Sequence, residues 1–196
     1  MERHLAQIED GLVVTSPITN GFSYTLPSLL GEMLNELETE YGLRNRSFTV
    51  LGMEFIHGAP RIWFPGNRNY IVIQLSADAM IDRTKALFQV AHECVHLLDP
   101  VVFGEASVLE EGLATNVSLR CIHRISPQYL TGDPKYDAAN QHVTALLAKY
   151  PKVIRQLRKK YGLSGFEPKR LRGYCRGLPS SERELLAMPF TAWSGS

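Results

Sequence analysis

Residues 92–96 read His-Glu-Cys-Val-His, with two histidines four positions apart and a glutamate directly after the first. On an α-helix, residues four apart lie one above the other, so His92 and His96 could present two imidazole nitrogens to one metal ion. Glu93 would lie beside the ion without binding it, and its carboxylate could take a proton from a nearby water molecule. The pattern therefore predicts metal-assisted hydrolysis, with His92 and His96 as metal ligands and Glu93 as the general base.

The motif lies in a segment that the spacing of apolar residues predicts to be one long helix, from about residue 78 to residue 98. Leu87, Ala91, Cys94 and Leu98 form an apolar stripe, and both histidines fall almost opposite to it. Cys94 is therefore predicted to be a buried packing residue. A solvated pair of histidines with a chance glutamate between them is the alternative interpretation.

A third metal ligand is expected from another element, because a catalytic zinc ion usually has three protein ligands and one open position for water. An elongated zinc motif would place a histidine at position 102, which is Val102 here. Asp133 could supply a loop aspartate, but its surroundings match aspartate-ligand zinc peptidases poorly. Glu111, on the next predicted helix, is the remaining candidate, and its neighbour Glu110 stays open as an alternative.

The histidine motif and the segment Glu111-Gly112-Leu113-Ala114 together resemble the gluzincin class of zincin metallopeptidases, in which a second helix gives a glutamate ligand within Glu-Gly-x-Ala. The resemblance covers about a quarter of the chain, from roughly Tyr70 to Ile122. It implies a zincin-like fold and a peptidase acting on peptides or proteins. It also implies a Zn²⁺ cofactor bound by His92, His96 and Glu111, with Glu93 as the general base.

The chain departs from that class at Thr115, where many gluzincins have an aspartate that orients a ligand histidine. We expect Asn116, Ser118 or Asp99 to take that role instead. Enzymes of this class align an extended substrate along an edge strand before the motif helix, and the resemblance assigns that place to residues 70–75. A donor for the oxyanion is also expected, and spacing does not choose among five candidates, namely His123, Tyr129, Tyr136, His142 and Tyr174.

The predicted elements give an α+β fold class, a small antiparallel-dominated sheet packed against several helices including the motif helix. Strands are expected over residues 47–56, 61–64 and 70–75, and their short turns favour antiparallel pairing. Further helices are expected over residues 27–41, 133–150, 151–161 and about 181–188, and one begins after Ser107, where Ser107 and Glu110 match a capping box. Residues 1–25 read as a strand or arm plus a loop. We expect a single domain over residues 1–196, with a core over about 26–162 and a basic C-terminal tail over about 163–196.

The composition of the chain narrows the classes of function and partner that remain. The chain has 196 residues, of which 44% are hydrophobic, and its formal net charge is +1, so no overall field favours nucleic acid or a membrane surface. A basic stretch over residues 152–176 is predicted to be a solvated face, and its few aromatic residues argue against nucleic acid as a partner. Three widely spaced cysteines, with no signal-peptide or membrane-spanning pattern, favour a cytoplasmic protein, although export without a cleaved signal would leave no trace.

Two rival hypotheses stay open at the level of sequence. One is a regulatory or sensing protein that uses a zincin-like fold for partner binding, with little or no general proteolysis. The other is a metal-free structural domain. The sequence gives no indication of substrate specificity or oligomeric state.

Overall fold

A computed structural model describes residues 17–19, 21–22, 25–66, 69–102 and 105–195 of the chain. The arm predicted for residues 1–25 lies mostly outside the described residues. Of that stretch, a two-residue antiparallel pair is described, formed by β1 (Pro17–Ile18) and β2 (Gly21–Phe22).

The main sheet contains β3 (Thr49–Ile56), β4 (Arg61–Trp63) and β5 (Tyr70–Ser76) in the order β3-β5-β4. β5 pairs in parallel with β3 and antiparallel with β4. The fold is thus α+β, but the expectation of an antiparallel-dominated sheet is wrong, because the long pairing is the parallel one. β5 is the most buried of the three strands, and a strand of that kind is stabilised by a partner on each side.

The motif helix is shorter than predicted. Residues 77–80 form a 3₁₀ turn, and α2 runs from Arg83 to His96. The side chain of Asp82 accepts a hydrogen bond from the Lys85 backbone N–H, at 2.9 Å, which makes Asp82 the N-cap residue. The prediction of one helix over residues 78–98 is therefore wrong at its start, because the aspartate caps a new helix instead of continuing the preceding turn.

The remaining helices follow the predicted order with shifted ends. They are α1 (Leu26–Tyr41), α3 (Val108–Ile122), α4 (Pro134–Lys149), α5 (Val153–Arg158), α6 (Lys169–Tyr174) and α7 (Ser180–Ala187), followed by a 3₁₀ turn at Phe190–Ala192. α6 was not predicted. Among the described helices, none has both the length and the apolar character needed to cross a membrane.

One large hydrophobic cluster joins α1, β5, α2 and α3 to the C-terminal part of the chain. Cys94 is fully buried in it, as its place on the apolar stripe predicts. Leu163, Leu171 and Leu186 are also fully buried in this cluster. The segment that reads as a basic tail therefore contributes apolar side chains to the same core as the motif helix.

Gly112 lets α3 and α4 approach each other closely. A Cβ atom on Gly112 would lie 2.5 Å from the backbone oxygen of Ala139 and 2.6 Å from Cγ2 of Val143. A side chain of any size would collide there, since van der Waals contact between such atoms needs about 3.5 Å. The glycine after Glu111 is thus required by the packing of these two helices.

Arg158 connects the ends of α1 and α2. Its guanidinium pairs with Asp99, with Nε 2.7 Å from Oδ2. It also donates to the backbone oxygens of Tyr41, Gly42 and Leu98, at 2.8, 2.7 and 3.0 Å. Most of this side chain is buried, with 4% exposed, so this residue of the basic stretch is a structural one.

Candidate metal centre

His92, His96 and Glu111 lie together in the folded chain. The two histidines are one turn apart on α2, with ring centroids 5.1 Å apart, and Glu111 lies in the first turn of α3. His92 Nε2 is 3.1 Å from Glu111 Oε2, and His96 Nε2 is 3.6 Å from Glu111 Oε1. One ligand atom from each residue lies within 4.8 Å of the others, so the three could hold a metal ion.

These spacings fit a small tetrahedral ion. Bonds of about 2.0–2.1 Å from zinc to nitrogen or oxygen place neighbouring ligand atoms about 3.3–3.4 Å apart, and the two nitrogen–oxygen distances lie on either side of that value. Two imidazoles and one carboxylate are also a donor set that suits Zn²⁺. The residues present therefore fit the ion that the gluzincin resemblance implies.

The electrostatics of the cluster favour positive charge between these side chains. Burial by itself would lower the pKa of His96, but the carboxylates of Glu111 and Glu110 outweigh burial and raise it to about 10. Burial would likewise raise the pKa of Glu111, but His96 and His92 lower it to about 2. A divalent cation would take the place of the proton that these groups otherwise share.

Glu110 orients His96. Its Oε1 atom accepts a hydrogen bond from His96 Nδ1 at 2.8 Å, and its other oxygen accepts one from the hydroxyl of Ser164. Because a carboxylate can only accept, His96 carries a proton on Nδ1, and Nε2, which faces Glu111, is the ring nitrogen that would give up its proton to bind a metal ion. Glu110 thus lies against the far nitrogen of His96, while Glu111 faces the ring nitrogens of both histidines.

This arrangement corrects the predicted capping box. Ser107 is the N-cap of α3, and its hydroxyl accepts from the Glu110 backbone N–H at 3.1 Å, as predicted. The Glu110 side chain does not return to the Ser107 backbone N–H, which donates instead to the Ser164 hydroxyl at 3.0 Å. Ser164 therefore frees the glutamate side chain to reach His96.

The residues expected to replace the missing aspartate lie elsewhere. Asn116 donates to Asn140 on α4 at 3.1 Å. Ser118 donates to a backbone oxygen of its own helix, and Asp99 pairs with Arg158. The prediction that one of these three orients a ligand histidine is wrong, because each is committed to a local or interhelical contact.

Glu93 is a buried carboxylate without a hydrogen-bond partner among the described residues. It is 2% exposed, and its Oε2 atom is buried and unbonded. Burial raises the pKa of its carboxyl group, and the nearby His96 and His92 oppose that shift. Burying an unpaired carboxylate is costly, so this oxygen is placed to bind a group that the protein itself does not supply.

Two adjoining cavities open onto the centre. A cavity of about 200 Å³ is lined by the three candidate ligands, Glu110 and residues 60–62, and a cavity of about 280 Å³ extends from His92 along α2. Pro60, His92, Glu93 and Tyr136 line both. The candidate metal centre therefore adjoins both cavities.

Tyr136 is the one candidate oxyanion donor that lines both cavities. Its ring centroid is 5.8 Å from that of His92, and burial together with the charge of Glu111 raises the pKa of its phenol. The phenol therefore stays protonated and able to donate. Tyr129 lines only the larger cavity, His142 binds Glu182, and His123 binds a backbone oxygen.

The strand expected to align a substrate is also corrected. β5 is the central strand, with β3 and β4 on its two sides, so it has no free edge. β4 pairs only with β5 among the described strands, and its residues Arg61 and Ile62 line the smaller cavity. Among the described strands, the edge strand beside the candidate metal centre is thus β4.

The structure thus brings His92, His96 and Glu111 together, with Glu93 in the cavity that they line. The contact of Glu110 with His96 and the place of β4 beside this cavity are the features that the sequence does not predict. The chain matches no protein-family model, no curated protein and no solved structure.

Proposed function

We propose that this protein is a zinc-dependent peptidase with a zincin-like fold. One observation carries the proposal: two histidine Nε2 atoms face the carboxylate of Glu111, and the unpaired carboxylate of Glu93 lies in the same cavity. This combination is what metal-assisted hydrolysis needs, because the Glu93 carboxylate has no hydrogen-bond partner among the described residues and is free to bind a water molecule. The motif helix, packed between a small sheet and the helix that carries Glu111, supports the zincin-like part of the proposal.

Each residue has a defined task in this mechanism. A bound Zn²⁺ would polarise the scissile carbonyl and lower the pKa of an attacking water molecule. Glu93 takes a proton from that water and later gives it to the nitrogen of the leaving amine. Glu110 holds the ring of His96 in place, and the Tyr136 hydroxyl donates to the carbonyl oxygen as negative charge develops there.

The edge of β4 gives the substrate a place to bind. An edge strand presents unpaired backbone N–H and C=O groups, and an extended peptide can add to them as a further strand. A peptide bound along residues 61–63 would pass the cavity that contains Glu93 and the ligands. An extended peptide is therefore the substrate that this surface fits.

The test combines metal analysis with digestion of a peptide library. We expect about one zinc ion per chain and cleavage that a chelator abolishes. Glu93→Gln should keep its zinc and lose about 10²–10⁴-fold in kcat, the usual contribution of a general base. Glu40→Gln is a matched control, since Glu40 is half-exposed on α1 and pairs with Arg120.

Two results would contradict the proposal. Undiminished cleavage by Glu93→Gln would show that Glu93 is not the general base. Stoichiometric zinc without cleavage of any peptide would support the regulatory hypothesis instead.

A further inference from the structure

The basic stretch of residues 152–176 folds into two short helices, α5 and α6, and the loop between them. Nine of the 21 lysines and arginines of the chain lie in this stretch, together with one of its 20 acidic residues, Glu167. Because the formal net charge of the whole chain is +1, the rest of the protein is net acidic. Positive charge is therefore concentrated on one segment of the molecule.

On α5, the basic side chains share the face that is turned to the solvent. Lys152, Arg155 and Lys159 are spaced by three and four positions, which places them along one side of the helix, and all three are exposed. The residues of the opposite face are apolar and buried in the main hydrophobic cluster, namely Val153, Ile154 and Leu157. At a rise of about 1.5 Å per residue, α5 thus presents a row of cations about 10 Å long.

α6 presents a second row of the same kind. Lys169, Arg172 and, just beyond the end of the helix, Arg176 recur at the same spacing and are exposed. Leu171 and Cys175, on the other side, are fully buried in the same hydrophobic cluster as the apolar face of α5. Both helices therefore pack on one cluster and turn their basic side chains to the solvent.

The two rows lie side by side. The hydroxyl of Tyr150, just before α5, donates to the backbone oxygen of Arg176, just after α6. At the other end, the Arg170 guanidinium lies 4.8 Å from the centre of the ring of Tyr161, which follows α5. The end of each helix thus meets the start of the other, and helices in contact lie about 8–10 Å apart. Both rows, with the exposed Lys160 between them in sequence, form what we call the basic surface.

Most of the charge on the basic surface has no acidic partner. Glu167 pairs with Lys169 and Arg170, both at 2.9 Å, and Arg155 donates to the backbone oxygen of Thr39 at 3.2 Å. Within the described part of the chain, the remaining basic side chains of the surface take part in no ion pair, namely Lys152, Lys159, Lys160, Arg172 and Arg176. Like charges held this close repel one another, and a bound polyanion would relieve that repulsion.

The side chains around these cations favour a nucleic acid over a protein or a membrane. Protein interfaces are depleted in lysine and built around apolar and aromatic side chains. Within residues 149–178, all of which the structure describes, Tyr161 is the only exposed large hydrophobic side chain. Surface helices bind membranes through an apolar face, and that face of α5 and α6 is buried in the core. A phosphate backbone, by contrast, is bound by cations alone.

The scarcity of aromatic side chains also indicates which nucleic acid fits. Single strands are held largely by base stacking on aromatic rings, and RNA duplexes by contacts to 2′-hydroxyls as well as to phosphates. Double-stranded DNA carries one negative charge per about 1.7 Å of its axis. A row of cations about 10 Å long therefore lies beside about six phosphates, and no stacking is needed.

We propose that the basic surface binds the phosphate backbone of double-stranded DNA, without regard to its sequence. The surface lies apart from the proposed peptidase site, since none of its residues lines either cavity at the metal centre. DNA binding is thus a second function of the chain. It does not depend on whether the metal centre cleaves peptides.

The test measures binding of a fluorescein-labelled DNA duplex by fluorescence anisotropy at several salt concentrations. If about five cations contact phosphates, the logarithm of the association constant should fall against the logarithm of the salt concentration with a slope of about −4.5. Affinity should then drop about 10²–10³-fold between about 50 and 200 mM salt. A duplex of unrelated sequence should bind equally well. A slope shallower than about −2, or no binding at low salt, would overturn the proposal.

Double substitutions on each row show whether these cations make the contacts. Lys152→Gln with Lys159→Gln removes two charges from the row on α5, and Arg172→Gln with Arg176→Gln removes two from the row on α6. Each double variant should weaken binding about 10–100-fold and make the slope less steep by about 1.8. Wild-type affinity in both double variants would overturn the proposal.

Arg46→Gln with Arg124→Gln is the matched control. It removes two charges from exposed arginines that lie outside the basic surface, so the net charge changes equally while both rows stay intact. The affinity and the slope should remain close to those of the wild type. A loss as large as that of the row variants would show that net charge, and not this surface, causes the binding. Thermal unfolding of all three double variants shows whether they fold.

Three other ligands test the choice of double-stranded DNA. A single strand, an RNA duplex of the same length and vesicles of phosphatidylserine and phosphatidylcholine should all bind less tightly than the DNA duplex. Binding of any of them at least as tight would overturn that choice. Glu93→Gln should bind DNA as the wild type does, so the outcome for DNA is separate from the outcome for peptide cleavage.

Discussion

Gly112 contacts α4 through its backbone, and alanine at this position tests that contact. The substitution has two opposing effects on the free energy of unfolding. Alanine favours a helix over glycine by about 1 kcal/mol. Against this, its Cβ would lie 2.5 Å from the backbone oxygen of Ala139 and 2.6 Å from Val143 Cγ2, and overpacking of this kind costs about 1–3 kcal/mol.

The steric overlap should outweigh the helix preference of alanine. The oxygen of Ala139 is a backbone atom, so no rotamer change can move it, and relief requires α3 and α4 to separate. Taking the upper end of the range, we expect Gly112→Ala to lower the free energy of unfolding by about 2 kcal/mol. For a chain of this length that corresponds to about 4–8 °C in Tm. Zinc affinity should fall too, because Glu111 is the neighbouring residue and Tyr136 lies on the displaced helix.

Gly31→Ala is the matched control. Gly31 lies within α1, and nothing is found within 4 Å of the place that its Cβ would take. It should therefore show the helix preference alone and stabilise the protein by about 1 kcal/mol. Urea unfolding of both variants measures the difference. If Gly112→Ala proved as stable as Gly31→Ala, the close approach of α3 and α4 would be refuted.

Three further substitutions test other contacts. Arg158→Met should cost about 3–5 kcal/mol of stability, since it leaves Asp99 without its ion-pair partner, while Arg120→Met on the surface should cost less than about 1 kcal/mol. Urea midpoints compare the two variants, and equal losses would contradict the buried role of Arg158. Glu110→Ala should weaken zinc binding about 10–100-fold in a competition assay with a chromogenic chelator, because His96 loses the carboxylate that accepts its Nδ1 hydrogen bond. Unchanged zinc affinity would contradict the role of Glu110 in orienting His96. Burial raises the pKa of the Cys121 thiol from its ordinary value of 9.0 to about 11. The unfolded chain therefore loses this proton first, and the free energy of unfolding should fall as the pH rises from about 9 to about 11. The fall should be steeper in the wild type than in Cys121→Ala, and parallel pH curves for the two proteins would contradict the prediction.

Local rules predict two of the three candidate ligands, and the resemblance to gluzincins supplies the third, Glu111. A spacing of four residues on a helix brings two histidines together, and Ser107 fixes the start of the helix on which Glu111 lies. The orientation of His96 could not be predicted in that way. It depends on a contact between Glu110 and Ser164, which are 54 positions apart, and no periodicity reports such a contact.

The order of the sheet escapes prediction for a similar reason. Short turns between β3, β4 and β5 suggest that neighbours in sequence pair with each other, yet β3 pairs with β5. The signal that could have indicated this is the apolar character of β5, whose residues Ile71, Ile73 and Leu75 are all fully buried. A strand so apolar belongs in the centre of a sheet.

Through the hydrogen bonds of Ser164, the segment that follows Gly162 helps to position the candidate metal ligands. Ser164 binds both the cap of α3 and the carboxylate that holds His96. Removing the chain beyond Gly162 would leave a buried glutamate without its hydroxyl partner and would withdraw Leu171 and Leu186 from the core. A related chain that ended earlier would have to recruit another hydroxyl to steady the same imidazole.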